Sequence, residues 1–89
     1  MRVNNSLDWD PVSFELRGKM QSAPQACRKD LARMIGAIEG MVQRLANEEV
    51  ELRRTHKDTS AKRDELLPRI NQAIEDFEKW LMLAHLQHG

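Results

Sequence analysis

The feature that most constrains this chain is a long stretch with helical spacing of apolar residues. Beyond Pro24 it contains no proline as far as residue 57, and its apolar side chains recur at steps of three and four. Such steps place side chains on one side of an α-helix. We therefore predict a first long helix over about 24–57. Its apolar positions are Leu31, Met34, Ile35, Ile38, Met41, Val42, Leu45 and Leu52.

A second long helix is predicted over about 60–87. The preceding residues, 55–60, are polar and typical of turns, and Asp58, Thr59 and Ser60 are each suitable helix caps. Pro68 complicates the start, because proline inside a helix removes a hydrogen bond and clashes with the preceding turn. The helix therefore begins near Leu67 or kinks at Pro68. Its apolar side contains Leu66, Ile70, Ala73, Ile74, Phe77, Trp80, Leu81 and Ala84.

Heptad positions in the two segments predict an antiparallel hairpin that folds back at Thr59. Its seam pairs first (a) with fourth (d) heptad positions, so that Ile38 meets Trp80 and Met34 meets Ala84 in the core. The flanking charges agree in sign with this register. The predicted ion pairs are Arg44 with Asp76, Glu51 with Arg69, and Asp58 with Lys62.

Residues 1–22 form a leader that precedes the hairpin of residues 23–89. Asp10 followed by Pro11 is typical of a helix start, and apolar residues follow at steps of four. We predict a short helix over about 11–20. With 89 residues, the chain makes one domain at most. The predicted fold class is all-α: two long helices in a hairpin, with a short N-terminal helix.

An aliphatic stripe lies beside the predicted seam and consists of Ile35, Val42, Ile74 and Leu81. A two-helix hairpin cannot bury both its seam and this stripe, and an uncovered large apolar side chain forgoes about 1.5–3 kcal/mol. Either of two elements can cover it. The leader can fold back through Trp9, Phe14 and Leu16 to complete a three-helix bundle, or a second copy can form a four-helix bundle as a homodimer.

Charge and composition exclude several classes of protein. The 14 basic and 14 acidic residues cancel, which argues against an unaided nucleic-acid or membrane-surface binder. A single cysteine excludes an internal disulfide framework. No apolar run approaches the roughly 20 residues of a membrane span, and the N-terminal residues lack the apolar core of a secretion signal. We expect a cytoplasmic protein without a membrane association.

No residue pattern predicts catalysis, a cofactor or a metal site. His85 and His88 could share a helix face, but carboxylate or thiolate ligands are missing beside them, so we expect solvated histidines. Cys27 falls at a seam position, which favours a small buried side chain over a nucleophile. A glycine-rich phosphate loop is absent from the sequence. We therefore expect a protein that is not an enzyme.

The remaining function is protein–protein interaction through an apolar helical face. Adaptor, regulatory inhibitor and assembly co-chaperone are all compatible with it. The predicted partner-binding residues are the aliphatic stripe together with Trp9, Phe14 and Leu16. The alternative is a dimeric nucleic-acid-associated regulator that uses the basic hairpin tip, although net charge disfavours nucleic acid. Its contacts would be the tip cations Arg53, Arg54, Lys57, Lys62 and Arg63.

Overall fold

The computed structural model describes residues 2–88, except for the side chain of His88. Three α-helices make up most of this range. Helix α1 spans Trp9–Gln21, α2 spans Gln25–Arg54 and α3 spans Ser60–His88, and a single 3₁₀ turn, Ser6–Asp8, precedes α1. No strand occurs in this described range. The molecule measures 51 × 17 × 17 Å. The predicted all-α hairpin with a short N-terminal helix is confirmed.

A reciprocal cap holds the start of the 3₁₀ turn that precedes α1. The Asn5 side chain accepts a hydrogen bond from the backbone N–H of Leu7 at 2.8 Å. The Asp8 carboxylate accepts bonds from the backbone N–H groups of Asn4 at 2.9 Å and Asn5 at 3.2 Å. This capping box satisfies the donors of the first turn. Helix α1 follows this turn directly and begins at Trp9, two residues before the predicted start at Pro11.

The turn between α2 and α3 spans residues 55–59 and is shaped by paired backbone bonds. Lys57 N–H donates to the Leu52 carbonyl at 2.8 Å and His56 N–H to the Arg53 carbonyl at 3.1 Å. This is a Schellman motif, which needs one residue in the left-handed region. His56 fills that position with a φ of 58°. Helix α2 therefore ends at Arg54, three residues before the predicted end.

Helix α3 starts at Ser60 and continues through Pro68. The Asp58 carboxylate accepts bonds from the backbone N–H of Ser60 at 3.0 Å and from its hydroxyl at 2.8 Å. These two bonds hold the pKa of Asp58 below its usual value, because they stabilise the charged form. The predicted alternative start near Leu67 is wrong. The Pro68 ring lies on the exposed side of α3, where it displaces no core contact.

The core is rotated from the predicted seam toward the aliphatic stripe, so that part of the seam stays buried and part becomes exposed. Buried positions alternate at steps of four and three along α2, and Met34, Met41 and Ala73 are only partly buried at the predicted seam. Trp80 is 57% exposed, so its predicted core position is wrong. The long helices bury Leu31, Ile35, Ile38, Val42, Leu45, Glu49, Leu66, Ile70, Ile74, Phe77, Leu81 and Ala84.

Helix α1 packs beside the hairpin as a third helix, and for this reason the buried faces of α2 and α3 are turned toward α1 relative to the predicted seam. Trp9, Val12 and Leu16 are buried and join the common core. Arg17 bridges α1 to Glu39 of α2 at 2.8 Å, and Lys19 reaches Glu78 of α3 at 3.9 Å. A third helix buries a wider stripe on each neighbour than a two-helix seam does. The aliphatic stripe thereby becomes part of the interior.

Val3, three residues before the 3₁₀ turn, fastens the leader to α3. Val3 is fully buried. Its N–H donates to Asn71 Oδ1 at 2.7 Å, and its carbonyl accepts from Asn71 Nδ2 at 3.0 Å. One side chain therefore satisfies both backbone groups of a buried residue, as burial requires. The leader therefore contributes to the common core from Val3 to Ala23.

The hairpin register differs from the predicted one by about one helical turn. The connecting turn is centred on residue 57, not 59, and Met34 lies beside Trp80 instead of Ala84. None of the three predicted ion pairs forms within residues 2–88. Their acidic members bond locally instead: Asp76 to Gln72 at 3.1 Å, Glu51 to Arg54 at 2.7 Å, and Asp58 to Ser60.

Candidate protein-interaction surface

The aliphatic stripe offers no free surface while α1 is in place. Ile35 and Ile74 are fully buried, and Val42 and Leu81 are nearly so. The prediction that these residues contact a partner is therefore corrected, because the same chain already covers them. Of the predicted covering residues, Trp9 and Leu16 are buried, whereas Phe14 points away and is 82% exposed.

Two of the exposed apolar side chains lie on the opposite flank of the hairpin. Trp80 and Leu83, one turn apart on α3, are 57% and 49% exposed. Met34 of α2 lies beside Trp80 and is only partly buried. We call this surface the tryptophan flank and define it as Met34, Ala37 and Met41 of α2 with Ala73, Trp80 and Leu83 of α3.

Two shallow grooves adjoin Trp80 on the tryptophan flank. One has a volume of about 370 Å³ and is lined by Asp30, Arg33, Met34 and Trp80. The other, of about 350 Å³, shares Met34 and Trp80 and is completed by Asp76, Lys79 and Leu83. The indole therefore stands between two recesses. A surface of this shape suits a helical partner. Side chains of the partner can enter the two grooves, and the indole of Trp80 can enter a groove on the partner helix.

The rim of this surface carries balanced charge. Each groove has one acid and one base, Asp30 with Arg33 and Asp76 with Lys79. Asp76 accepts a hydrogen bond from Gln72, and none of the four makes an ion pair within residues 2–88. An apolar centre with a polar, uncommitted rim is the usual composition of a protein interface.

A buried ion cluster fastens the hairpin near its tip. Glu49 is 1% exposed, and its Oε2 accepts bonds from Arg53 at 3.1 Å and from Arg63 of α3 at 3.3 Å. Glu49 Oε1 and Arg63 Nε are buried without a hydrogen-bond partner in the described chain. The cluster joins α2 to α3 and is structural, since no groove of the tryptophan flank reaches it.

The tip cations are largely neutralised by their neighbours. Arg53 and Arg63 share Glu49, Arg54 binds Glu51, and Lys62 lies 3.3 Å from Glu65. Among the tip cations only Lys57 has no ion pair within residues 2–88. Phosphate contact would have to compete with these pairs.

Neither a metal-binding group of side chains nor a membrane-spanning helix occurs in the part of the chain that the structure describes. Across it, no group of three or more His, Cys, Asp or Glu side chains could hold a metal ion. His85 is exposed, and the side chain of His88 lies outside the described residues. Cys27 is partly buried against the core. None of the helices in residues 2–88 has the length and apolar content of a membrane crossing.

The sequence contains a signal for the tryptophan flank that the heptad positions alone do not show. Residues 80–86 place apolar side chains around almost the whole circumference of α3, with His85 as the only polar residue. A helix that is apolar all round requires burial on more than one side. Leu81 and Ala84 face the core, whereas Trp80, Met82, Leu83 and Leu86 are exposed, and Trp80 and Leu83 belong to the tryptophan flank.

Comparison with known proteins finds no family model, no curated protein and no solved structure that matches this chain.

Proposed function

We propose that this protein is a non-enzymatic protein–protein interaction module that binds its partner through the tryptophan flank. The observation that carries the proposal is the exposure of Trp80 between two grooves, beside Leu83 and Met34. Tryptophan is the residue most enriched among those that dominate binding energy. Adjoining exposed apolar side chains with a polar rim mark protein-interaction sites.

The module acts by burying an apolar helical face against a helix of the partner. Its own interior is already closed by α1, so the hairpin serves as a rigid support for the flank. Adaptor, regulatory inhibitor and assembly co-chaperone all use such a contact. The setting that we propose is the cytoplasm, since the single cysteine is suited to a reducing compartment.

The experiment compares capture of proteins by three tagged baits in extract of the source cells. The baits are the original chain, Trp80→Asp and the matched control Phe14→Asp, which alters an exposed aromatic residue away from the flank. Circular dichroism first verifies that all three are equally helical. We expect proteins that are captured by the original chain and by Phe14→Asp and are lost with Trp80→Asp. Identical capture by all three baits contradicts the proposal.

Binding to generic duplex DNA tests the alternative function. Because four of the five tip cations are paired, we expect no binding even at low salt. Fluorescence anisotropy of labelled DNA provides the measurement. Binding at low salt that weakens steeply as salt is added, and that is lost when Arg54 and Lys57 are changed to Gln, would support the nucleic-acid regulator instead.

A further inference from the structure

We infer that the partner of the tryptophan flank is a second copy of this chain, packed antiparallel about a two-fold axis that crosses α2 at Ala37. The inference rests on the proposed function and names its partner. In such a dimer, α2 faces α2 of the other copy and α3 faces α3, so that two hairpins form a continuous bundle.

The charges on α2 fit this axis. A two-fold axis at residue 37 places residue 30 of one copy opposite residue 44 of the other. These residues are Asp30 and Arg44, which have opposite charges and make no ion pair within residues 2–88. Both are exposed at intervals of seven residues from Ala37, so they lie on its line along α2. The symmetry therefore forms this ion pair twice.

The apolar residues of α2 fit the same axis. Ala37 meets its own copy, which lets the two helices approach closely at the centre. Met34 meets Met41 of the other copy to within one residue, or about 1.5 Å along the helix. Both methionines are partly buried and adaptable in shape. The centre of the contact is thus small, and its two sides are filled by flexible side chains.

Helix α3 provides an independent check, because its axis position follows from the hairpin register. Met34 lies beside Trp80, so the level of Ala37 on α2 corresponds to about residue 77 on α3. An axis there places Trp80 within one residue, or about 1.5 Å, of the position opposite Ala73 of the other copy, large against small. It also places Asp76 opposite Lys79 to within about one residue. Four pairings on two helices therefore agree on one axis to within about one residue.

The size of the contact agrees with a stable dimer. With the axis at Ala37, roughly 25 residues of α2 overlap, a length of about 37 Å. Over the 17 Å width of the bundle, this is roughly 600 Å² before side-chain relief is added, near the about 800 Å² per partner of a standard interface.

The test measures molar mass by sedimentation equilibrium from about 5 to about 500 µM, a range that covers moderate dimer affinities. We expect the original chain to rise from 10.3 kDa to twice that mass. Asp30→Arg and Arg44→Asp alone each place like charges together, and each should weaken the dimer about tenfold or more. The double variant, Asp30→Arg with Arg44→Asp, restores the pair and should dimerise like the original chain.

An equimolar mixture of the two single variants gives the sharpest result. Both ion pairs are restored only between unlike chains, so we expect a heterodimer tighter than either homodimer. Phe14→Ala is the control and should not change the dimer. A chain that stays at 10.3 kDa throughout, or single variants that dimerise like the original, overturns the inference. If the monomeric chain still captures other proteins through Trp80, the proposed function survives without it.

Discussion

Glu49 is the charged residue that the fold places in its interior. Its spacing continues the alternation of Leu31, Ile35, Ile38, Val42 and Leu45 by one further step of four residues. The side chain must therefore enter the core, where a carboxylate requires partners. Arg53 supplies one from the same helix and Arg63 another from α3. The side chains of Arg53 and Arg63 are 56% and 33% exposed, so both guanidinium groups bond to the buried carboxylate while their side chains stay partly in contact with water.

Two substitutions separate the shape of Glu49 from its charge. Glu49→Ala should lower the free energy of unfolding by about 2–3 kcal/mol, because it leaves a cavity and frees Arg63. Glu49→Met keeps the volume, and the arginines can turn to water, so we expect a change below about 1.5 kcal/mol. Urea denaturation measures both. Equal losses for Ala and Met would show that the carboxylate, not the packing, stabilises this layer.

The stability of the folded chain depends on pH through Asp58, and the sign of this dependence follows from the direction in which its pKa is shifted. Its pKa is lowered in the folded chain by the backbone N–H and then the hydroxyl of Ser60. The folded chain therefore binds this proton more weakly than the unfolded chain. The stabilisation is fully present above the pKa that Asp58 has in the unfolded chain and is lost as pH falls through its lower pKa in the folded chain.

Carboxyl NMR measures this effect directly. The titration midpoint of Asp58 should lie below its usual value in the original chain. Ser60→Ala should raise that midpoint part of the way, since the backbone donor remains. A midpoint that is at the usual value, and that Ser60→Ala does not move, would disprove the cap.

At the scale of the helices, the spacing of apolar residues predicts existence and extent well. The helices predicted over about 11–20, 24–57 and 60–87 are Trp9–Gln21, Gln25–Arg54 and Ser60–His88. The observed ends differ from the predicted ends where local hydrogen bonds to backbone groups determine where a helix begins or ends. The Schellman motif at His56 ends α2 early, and a capped 3₁₀ turn leads directly into α1 before its predicted start. Local composition indicates such motifs only weakly.

The face that each helix buries is harder to predict than the helix itself. A two-helix hairpin favours alternate a and d positions, and on that assumption Trp80 belongs in the core. Helix α1 adds contacts on one side and moves the core toward Ile35 and Val42. Sequence spacing allows both arrangements, and the choice depends on a tertiary contact with the leader. The same rotation leaves Trp80 on the surface.

The end of α2 contains a residue that is strained for a local reason. His56 adopts a left-handed backbone conformation that glycine adopts without steric cost. His56→Gly should therefore raise the free energy of unfolding by about 0.5–1 kcal/mol, and thermal denaturation gives the measurement. Lys57→Gly, at the next position, has no left-handed backbone to relieve and is the control. A destabilising His56→Gly would contradict the Schellman geometry.

At the scale of the whole molecule, the two long helices have two different flanks. One is closed by the leader through Trp9, Val12 and Leu16. The other carries Trp80 and Leu83 beside two grooves. The sequence predicts that a hairpin of this kind has surplus apolar surface. It does not reveal which flank the leader takes, because both flanks contain large apolar side chains.

The two tryptophans report on the two flanks separately, since Trp9 is 7% exposed and Trp80 is 57% exposed. The most direct test is acrylamide quenching of Trp80→Phe, which keeps Trp9, and of Trp9→Phe, which keeps Trp80, both in dilute solution. We predict weak quenching of Trp9 and strong quenching of Trp80. Trp9 quenched as strongly as Trp80, or Trp80 protected in a chain shown to be monomeric, would contradict the account.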